Sequence, residues 1–146
     1  EVFAYLSQRY PNGKIFIFGG GEREKALVNG MPSYPNVVPM VGKLSFSKEL
    51  TLIAHLQLML AMDSGNAHLA AQYGVPTLTL WGVTHPYAGF APYGQPQDYC
   101  LVADRAKYPL IPTSVFGNKY PEGYEKSIET SSIQDILLKI DCILEK

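Results

Sequence analysis

Asp63, Ser64, Gly65, Asn66, Ala67 and His68 form a short polar run between apolar stretches. A serine just before a helix can accept a hydrogen bond from a first-turn amide that has no partner inside the helix. With a helix over residues 66–73, the amides of Gly65, Asn66 and Ala67 point outward together at the positive end of its dipole. Gly65 has no side chain to hold a ligand away. Such a turn suits a phosphate or diphosphate without needing a lysine. His68, one turn in, has three readings: it donates to a phosphate oxygen, it holds the Asp63 turn in place, or it is a satisfied structural histidine. Asp63 repels a bare phosphate, so it either orders the turn amides or accepts from a sugar or ribose hydroxyl. The competing reading of the whole run is a plain strand-helix-strand connection in which Asp63 and Ser64 only cap a helix.

A second polar turn is Gly19, Gly20, Gly21, Glu22, Arg23 and Glu24. Its glycines allow a tight bend and a close approach, and Glu22 and Glu24 suit a helix start, but the spacing is not that of a dinucleotide fingerprint. A third is Gly42, Lys43, Leu44 and Ser45, after which Ser47 is expected to cap a helix with Leu50, Ile53 and Ala54 facing inward. His55 and His85 stand alone, and no His, Cys and carboxylate spacing matches a metal site. No metal, no cofactor and no catalytic base is therefore assigned.

The elements that must carry these turns follow from patterning. Residues 14–18 are apolar on both faces and 56–62 are mostly apolar, the habit of strands inside a covered parallel sheet; residues 76–81 are a further strand, and residues 37–41 and 98–103 supply two shorter ones, the first with Pro39 at an edge or in irregular pairing. Helices alternate with them. Val2, Phe3 and Leu6 make an opening helix without a cap, and Ser132 with Asp135 opens a last helix over residues 132–146 whose Ile133, Ile136, Leu137, Ile140, Ile143 and Leu144 share one face. The expected fold is a three-layer α/β domain with a mainly parallel sheet. At 146 residues the chain suits one domain, and its net charge of −1 argues against nucleic acid as a main partner. No apolar run reaches membrane-spanning length and no signal-peptide pattern opens the chain, and Cys100 and Cys142 read as buried thiols in a reducing cytoplasm.

The run Asp63, Ser64, Gly65, His68, Leu69, Ala70, Ala71, Gly74, Val75, Pro76, Gly82 and Thr84 resembles the signature of the heptosyltransferase family, glycosyltransferase family 9, which reads Asp-Ser-Gly-Pro-x-His-Leu-Ala-Ala, then Gly-Val-Pro and Phe-Gly-Pro-Thr. Asn66 and Val83 replace prolines, and Trp81 replaces phenylalanine. Gly19, Gly20, Glu22 and Arg23 are laid onto the family's Gly-Gly-x-x-Glu-Arg, one residue shorter if Gly20 and Gly21 are the pair. The resemblance covers residues 14–84 and is strongest over 47–82.

What the resemblance implies is the C-terminal, Rossmann-like, nucleotide-sugar-binding half of a GT-B architecture that works without a metal. It implies transfer of heptose or a related sugar from an ADP-activated donor to a lipopolysaccharide core acceptor. Asp63 to His68 would hold the donor diphosphate, and Gly20, Gly21, Glu22, Gly42, Lys43 and Glu49 the nucleoside. Glu49 suits a ribose hydroxyl, although a solvated first-turn glutamate and a solvated Lys43 read equally well. The acceptor site and base would belong to an N-terminal half preceding this chain, so the fragment is expected to transfer nothing alone. A full-length protein would be cytoplasmic with peripheral membrane association. The aromatic loop at 82–94 would close over the sugar, face that missing half, or pack on its own rings. The rival readings are a non-enzymatic α/β nucleotide-binding module and another GT-B enzyme such as a nucleotide-sugar epimerase.

Overall fold

The computed structural model describes residues 1–145. Its elements are α1 (Val2–Arg9), β1 (Ile15–Ile17), α2 (Glu22–Asn29), β2 (Val37–Pro39), α3 (Phe46–Ile53), β3 (Met59–Met62), α4 (Gly65–Gln72), β4 (Thr77–Trp81), β5 (Cys100–Val102) and α5 (Ile133–Leu144). Short 3-10 segments lie at Pro86–Ala88, Gln97–Tyr99 and Tyr124–Thr130. The chain is α/β with parallel strands joined by helices, and it divides into two compact units, Glu1–Thr51 and Leu52–Lys146.

In the first unit β1 and β2 pair in parallel, with Ile15 opposite Val37 and Ile17 opposite Pro39. Pro39 has no N–H to donate and stands at the end of this two-stranded ladder, where the loss costs least. Buried Asn36 ties the start of β2 to α1: its Nδ2 donates to the Tyr10 carbonyl at 2.9 Å and its Oδ1 accepts from Ser7 Oγ at 2.5 Å. α3 starts earlier than expected. The Glu49 N–H donates to the Ser45 carbonyl at 2.9 Å, so Ser45, not Ser47, precedes the helix. Ser47 lies in its first turn, and its carbonyl accepts from Thr51 Oγ1. Nothing between the two serines resists helical geometry, and the helix gains two residues at its start.

In the second unit β3, β4 and β5 form a parallel sheet in that order. β3 begins at Met59, three residues later than the apolar run that starts at Leu56. Its partner strand explains the delay: Thr77 faces Met59, and before it stands Pro76, whose carbonyl accepts from Met59 but which cannot donate. Leu78 and Trp81 of the central strand β4 are fully buried. So are its polar residues Thr77 and Thr79, each with a partner: Thr77 Oγ1 donates to the Val75 carbonyl, and Thr79 Oγ1 accepts from Trp81 Nε1 at 2.8 Å.

α4 lies on β3 and β4 through Ala67, Ala70 and Ala71, residues small enough to bring the helix close to the sheet. It ends in a Schellman motif. Gly74, at φ 74°, donates to the Ala71 carbonyl, and the Val75 N–H donates to that of Ala70, both at 3.0 Å. The Gly-Val-Pro signature is thus a helix stop followed by a strand start. α5 is capped as expected, with the Asp135 N–H donating to Ser132 Oγ at 3.0 Å, and it buries Ile136, Ile140 and Ile143. The final position of the expected helix, Lys146, lies outside the described residues. The cysteines depart from expectation: Cys100 is half-buried and Cys142 is exposed, because Cys142 falls on the outer side of the stripe that α5 turns inward. Among the described residues, no helix is long and apolar enough to cross a membrane.

Candidate functional site

The carboxyl end of β3 runs directly into the polar turn, as in open parallel sheets whose ligands sit outside the strand ends. Ser64 occupies the N-cap position of α4 in an extended conformation, φ −149° and ψ 160°, but its side chain makes no cap hydrogen bond. This corrects the expectation of a hydroxyl cap. The Ala67 N–H is also engaged, donating to the Ser64 carbonyl at 3.2 Å, so the outward group narrows to the amides of Gly65 and Asn66, which have no hydrogen-bond partner among the described residues. A β-carbon on Gly65 would meet nothing within 4 Å. No acidic side chain occupies the first turn of α4. The result is two free donors on open ground at a helix N-terminus, an arrangement favourable to an anion.

Asp63 is exposed and its carboxylate makes no hydrogen bond to the turn amides, which leaves it able to accept from a hydroxyl. His68 is half-buried and without a hydrogen bond among the described residues, so it does not hold the Asp63 turn. Beside the turn lies a cleft of about 300 Å³ lined by Met62 and Asp63 from the end of β3, by Leu80 and residues 82–84 at the end of β4, and by Phe116, Tyr120, Glu125 and Ser127. The last four come from a segment in which the sequence shows no motif. Its only signal is aromatic and glycine density downstream of a strand end.

That segment is anchored at several points. Thr113 donates through its N–H to the Val83 carbonyl at 3.1 Å, and the Asp104 N–H donates to Thr130 Oγ1 at 2.8 Å. Gly117 sits at φ 63°, where a β-carbon would come within 2.7 Å of Thr84 Cγ2. Only glycine lets this wall approach the end of β4 so closely.

The loop after β4 makes one ring contact within itself and one with the later segment. His85 and Tyr87 meet edge-on with centroids 4.7 Å apart, and Phe90 lies 5.9 Å from Phe116. Buried His85 accepts from the Tyr87 N–H through Nδ1, which starts the 3-10 segment. Burial first, and the nearby charge of Arg105 second, hold its pKa below the ordinary 6.5. The fold therefore keeps the neutral ring. The stability this contributes is full above 6.5 and is lost as pH falls through the lowered value, where the unfolded chain binds the proton more readily.

The expected nucleoside residues lie in the first unit. Gly20 and Gly21 follow β1, and Gly42 and Lys43 follow β2; the two turns are neighbours, because a β-carbon on Gly19 would lie 3.4 Å from Val41. Gly21 at φ 89° and Gly42 at φ 66° both need glycine. The Gly20 N–H is taken by the chain itself, donating to Glu24 Oε2 at 2.5 Å. Glu22 and Lys43 are exposed, and Glu49 is half-buried in the first turn of α3. Among the described residues, no group of His, Cys, Asp and Glu could hold a metal ion.

Comparison with known proteins gives a consistent result. The sequence model of glycosyltransferase family 9 (heptosyltransferase) matches residues 1–117. Lipopolysaccharide heptosyltransferase 3 of Escherichia coli is 40% identical over 50 residues, which cover 34% of this chain and 15% of that protein. Lipopolysaccharide heptosyltransferase 1 of Salmonella typhimurium is 32% identical over 95 residues, covering 65% of this chain and 28% of that protein. The chain thus spans less than a third of the length of these curated relatives. A crystal structure of a family 9 glycosyl transferase from Veillonella parvula DSM 2008 superposes over 98% of the chain and 40% of its own length, with a TM-score of 0.67 at 21% identity, so the two share a fold. A polar turn at the end of β3, a Gly-Val-Pro helix stop and a family match over most of the sequence agree: this chain belongs to glycosyltransferase family 9, the heptosyltransferases.

Proposed function

We propose that this chain is the donor-binding part of a glycosyltransferase that moves heptose or a related sugar from an ADP-activated donor to a lipopolysaccharide core acceptor in the cytoplasm. The observation that carries the reading is the pair of unpartnered amides at Gly65 and Asn66, open to solvent at the start of α4. In this scheme they bind the diphosphate, together with His68 as a donor. Their contribution grows as the glycosidic bond breaks and negative charge collects on the leaving group. Asp63 accepts from a hydroxyl beside that anion, and Gly20, Gly21, Glu22, Gly42, Lys43 and Glu49 contact the nucleoside. No residue of this chain takes the role of base, so acceptor binding and deprotonation fall to a further part of the protein, and peripheral attachment to the membrane goes with that part.

Titration of ADP into the chain, followed by amide chemical shifts, tests the reading. Shifts centred on 63–68, with no sugar transfer from ADP-heptose by this chain alone, are the expected result. Shifts confined elsewhere would remove the diphosphate site, and turnover by the chain alone would show that it contains the base.

A further inference from the structure

The cleft next to α4 is chemically unlike the turn it adjoins. Asp63 and Glu125 place two carboxylates on its lining, Thr84, Tyr120 and Ser127 add hydroxyls, and no lysine or arginine lines it. Such a surface repels phosphate and accepts from hydroxyl groups. One of its members is in an unusual state. Ser127 is completely buried and its Oγ has no hydrogen-bond partner, although a buried hydroxyl without one is costly. The hydroxyl lies against Gly82, where a β-carbon would come to 3.5 Å from Ser127 Oγ, an ordinary contact distance. Phe116, exposed at 75%, and Tyr120, at 47%, offer ring surfaces suited to the C–H face of a sugar.

Resting on the donor-binding reading above, we propose that Tyr120, Glu125 and Ser127 determine which sugar the chain accepts. The wall formed by 116–128 reads the hydroxyls of the transferred polyhydroxylated ring while α4 holds the diphosphate. Asp63 stands at the junction, lining the cleft and leading into the amides. Apart from Phe116 and Gly117, these wall residues lie beyond the 1–117 matched by the family. Selection among related sugars is thus assigned to a wall separate in sequence from the turn that holds the diphosphate.

The test is calorimetric titration of ADP and of ADP-heptose into wild type, Ser127→Ala and Glu125→Gln. Wild type should bind ADP-heptose more tightly than ADP. Each variant should weaken ADP-heptose by about fivefold, the worth of one hydrogen bond, and leave ADP unchanged. Glu125 is exposed, so its variant tests the proposal even if the buried serine variant folds poorly. Equal affinities of wild type and both variants for ADP-heptose, with ADP still bound, overturn this proposal alone. If wild type binds neither ligand, the donor-binding reading fails and takes the proposal with it.

Discussion

The two strand-to-helix turns differ in backbone and in chemistry: Gly21 precedes its helix at φ 89°, and Ser64 precedes its helix at φ −149°. After β1, Gly21 precedes α2, whose first turn carries Glu22 and Glu24, and Glu24 bends back to accept from the Gly20 amide. After β3, Ser64 precedes α4, whose first turn carries no acid and whose Gly65 and Asn66 amides remain unbonded. Each helix presents a positive dipole end and free donors. In the first turn the chain supplies its own anion, which stabilises α2 and leaves one donor fewer for a ligand. In the second, that stabilisation is absent and the donors stay available. Glycine content does not distinguish an anion site from a helix start, since the turn after β1 has three glycines and the turn after β3 has one. What distinguishes them is whether carboxylates stand in the first turn beside the donors, as Glu22 and Glu24 do in α2 and none does in α4.

The largest expected effect comes from closing the second turn. Gly65→Val places a branched side chain in space that is empty of protein atoms, so the fold should tolerate it. It also blocks approach to both amides. Affinity for ADP should fall about a hundredfold, the loss of two charge-assisted bonds of about 1.5 kcal/mol each. Calorimetry on wild type and variant decides it, with the thermal midpoint as a control for folding. Equal affinities would reduce this turn to a helix start and end the contrast between the two.

Part of this contrast can be read in the sequence and part cannot. Glu22 and Glu24 stand in the chain at helix-starting positions, and the gap between Ser64 and the next acid is equally visible. Whether Ser64 turns its hydroxyl toward the first-turn amides is a rotamer choice, and no spacing encodes it. The start of α3 was misplaced at Ser47 for a related reason, because Ser45 is an equally good cap and the outcome depends on which backbone bond forms. The cleft wall is the widest gap. Tyr120, Glu125 and Ser127 reach the end of β4 through Gly117 and the Thr113 to Val83 bond, contacts between residues about thirty positions apart that leave no local periodicity. By contrast, the cap and inward stripe of α5 were legible over its described residues, because both are local, although Cys142 on its outer side was read as buried.

A second, smaller effect would convert one turn into the other. Asn66→Asp places a carboxylate in the first turn of α4, as Glu22 does in α2. Two consequences of opposite sign follow. Helix stability should rise by about 0.5 kcal/mol through the dipole, while ADP affinity should fall about tenfold through like-charge repulsion, an effect that diminishes as salt is added. Urea unfolding and calorimetry at two ionic strengths measure both. If stability rises without loss of ADP affinity, the nucleotide does not approach this helix end. If affinity falls without any gain in stability, the dipole is not the reason that acids suit the first turn of α2.

The smallest effect concerns the serine that starts α4. A serine that caps through its hydroxyl loses about 1 kcal/mol on replacement by alanine. Ser132 is such a residue, with its Oγ accepting from the Asp135 N–H at 3.0 Å, whereas Ser64 occupies the same kind of position without the bond. Ser132→Ala should therefore cost about 1 kcal/mol and Ser64→Ala less than about 0.5 kcal/mol, read as shifts in urea midpoint at unchanged slope. The difference bears directly on the anion site. If Ser64→Ala costs as much as Ser132→Ala, the Ser64 hydroxyl is engaged with a first-turn amide in solution. A diphosphate must then displace it, and the turn after β3 holds its donors much as the turn after β1 does.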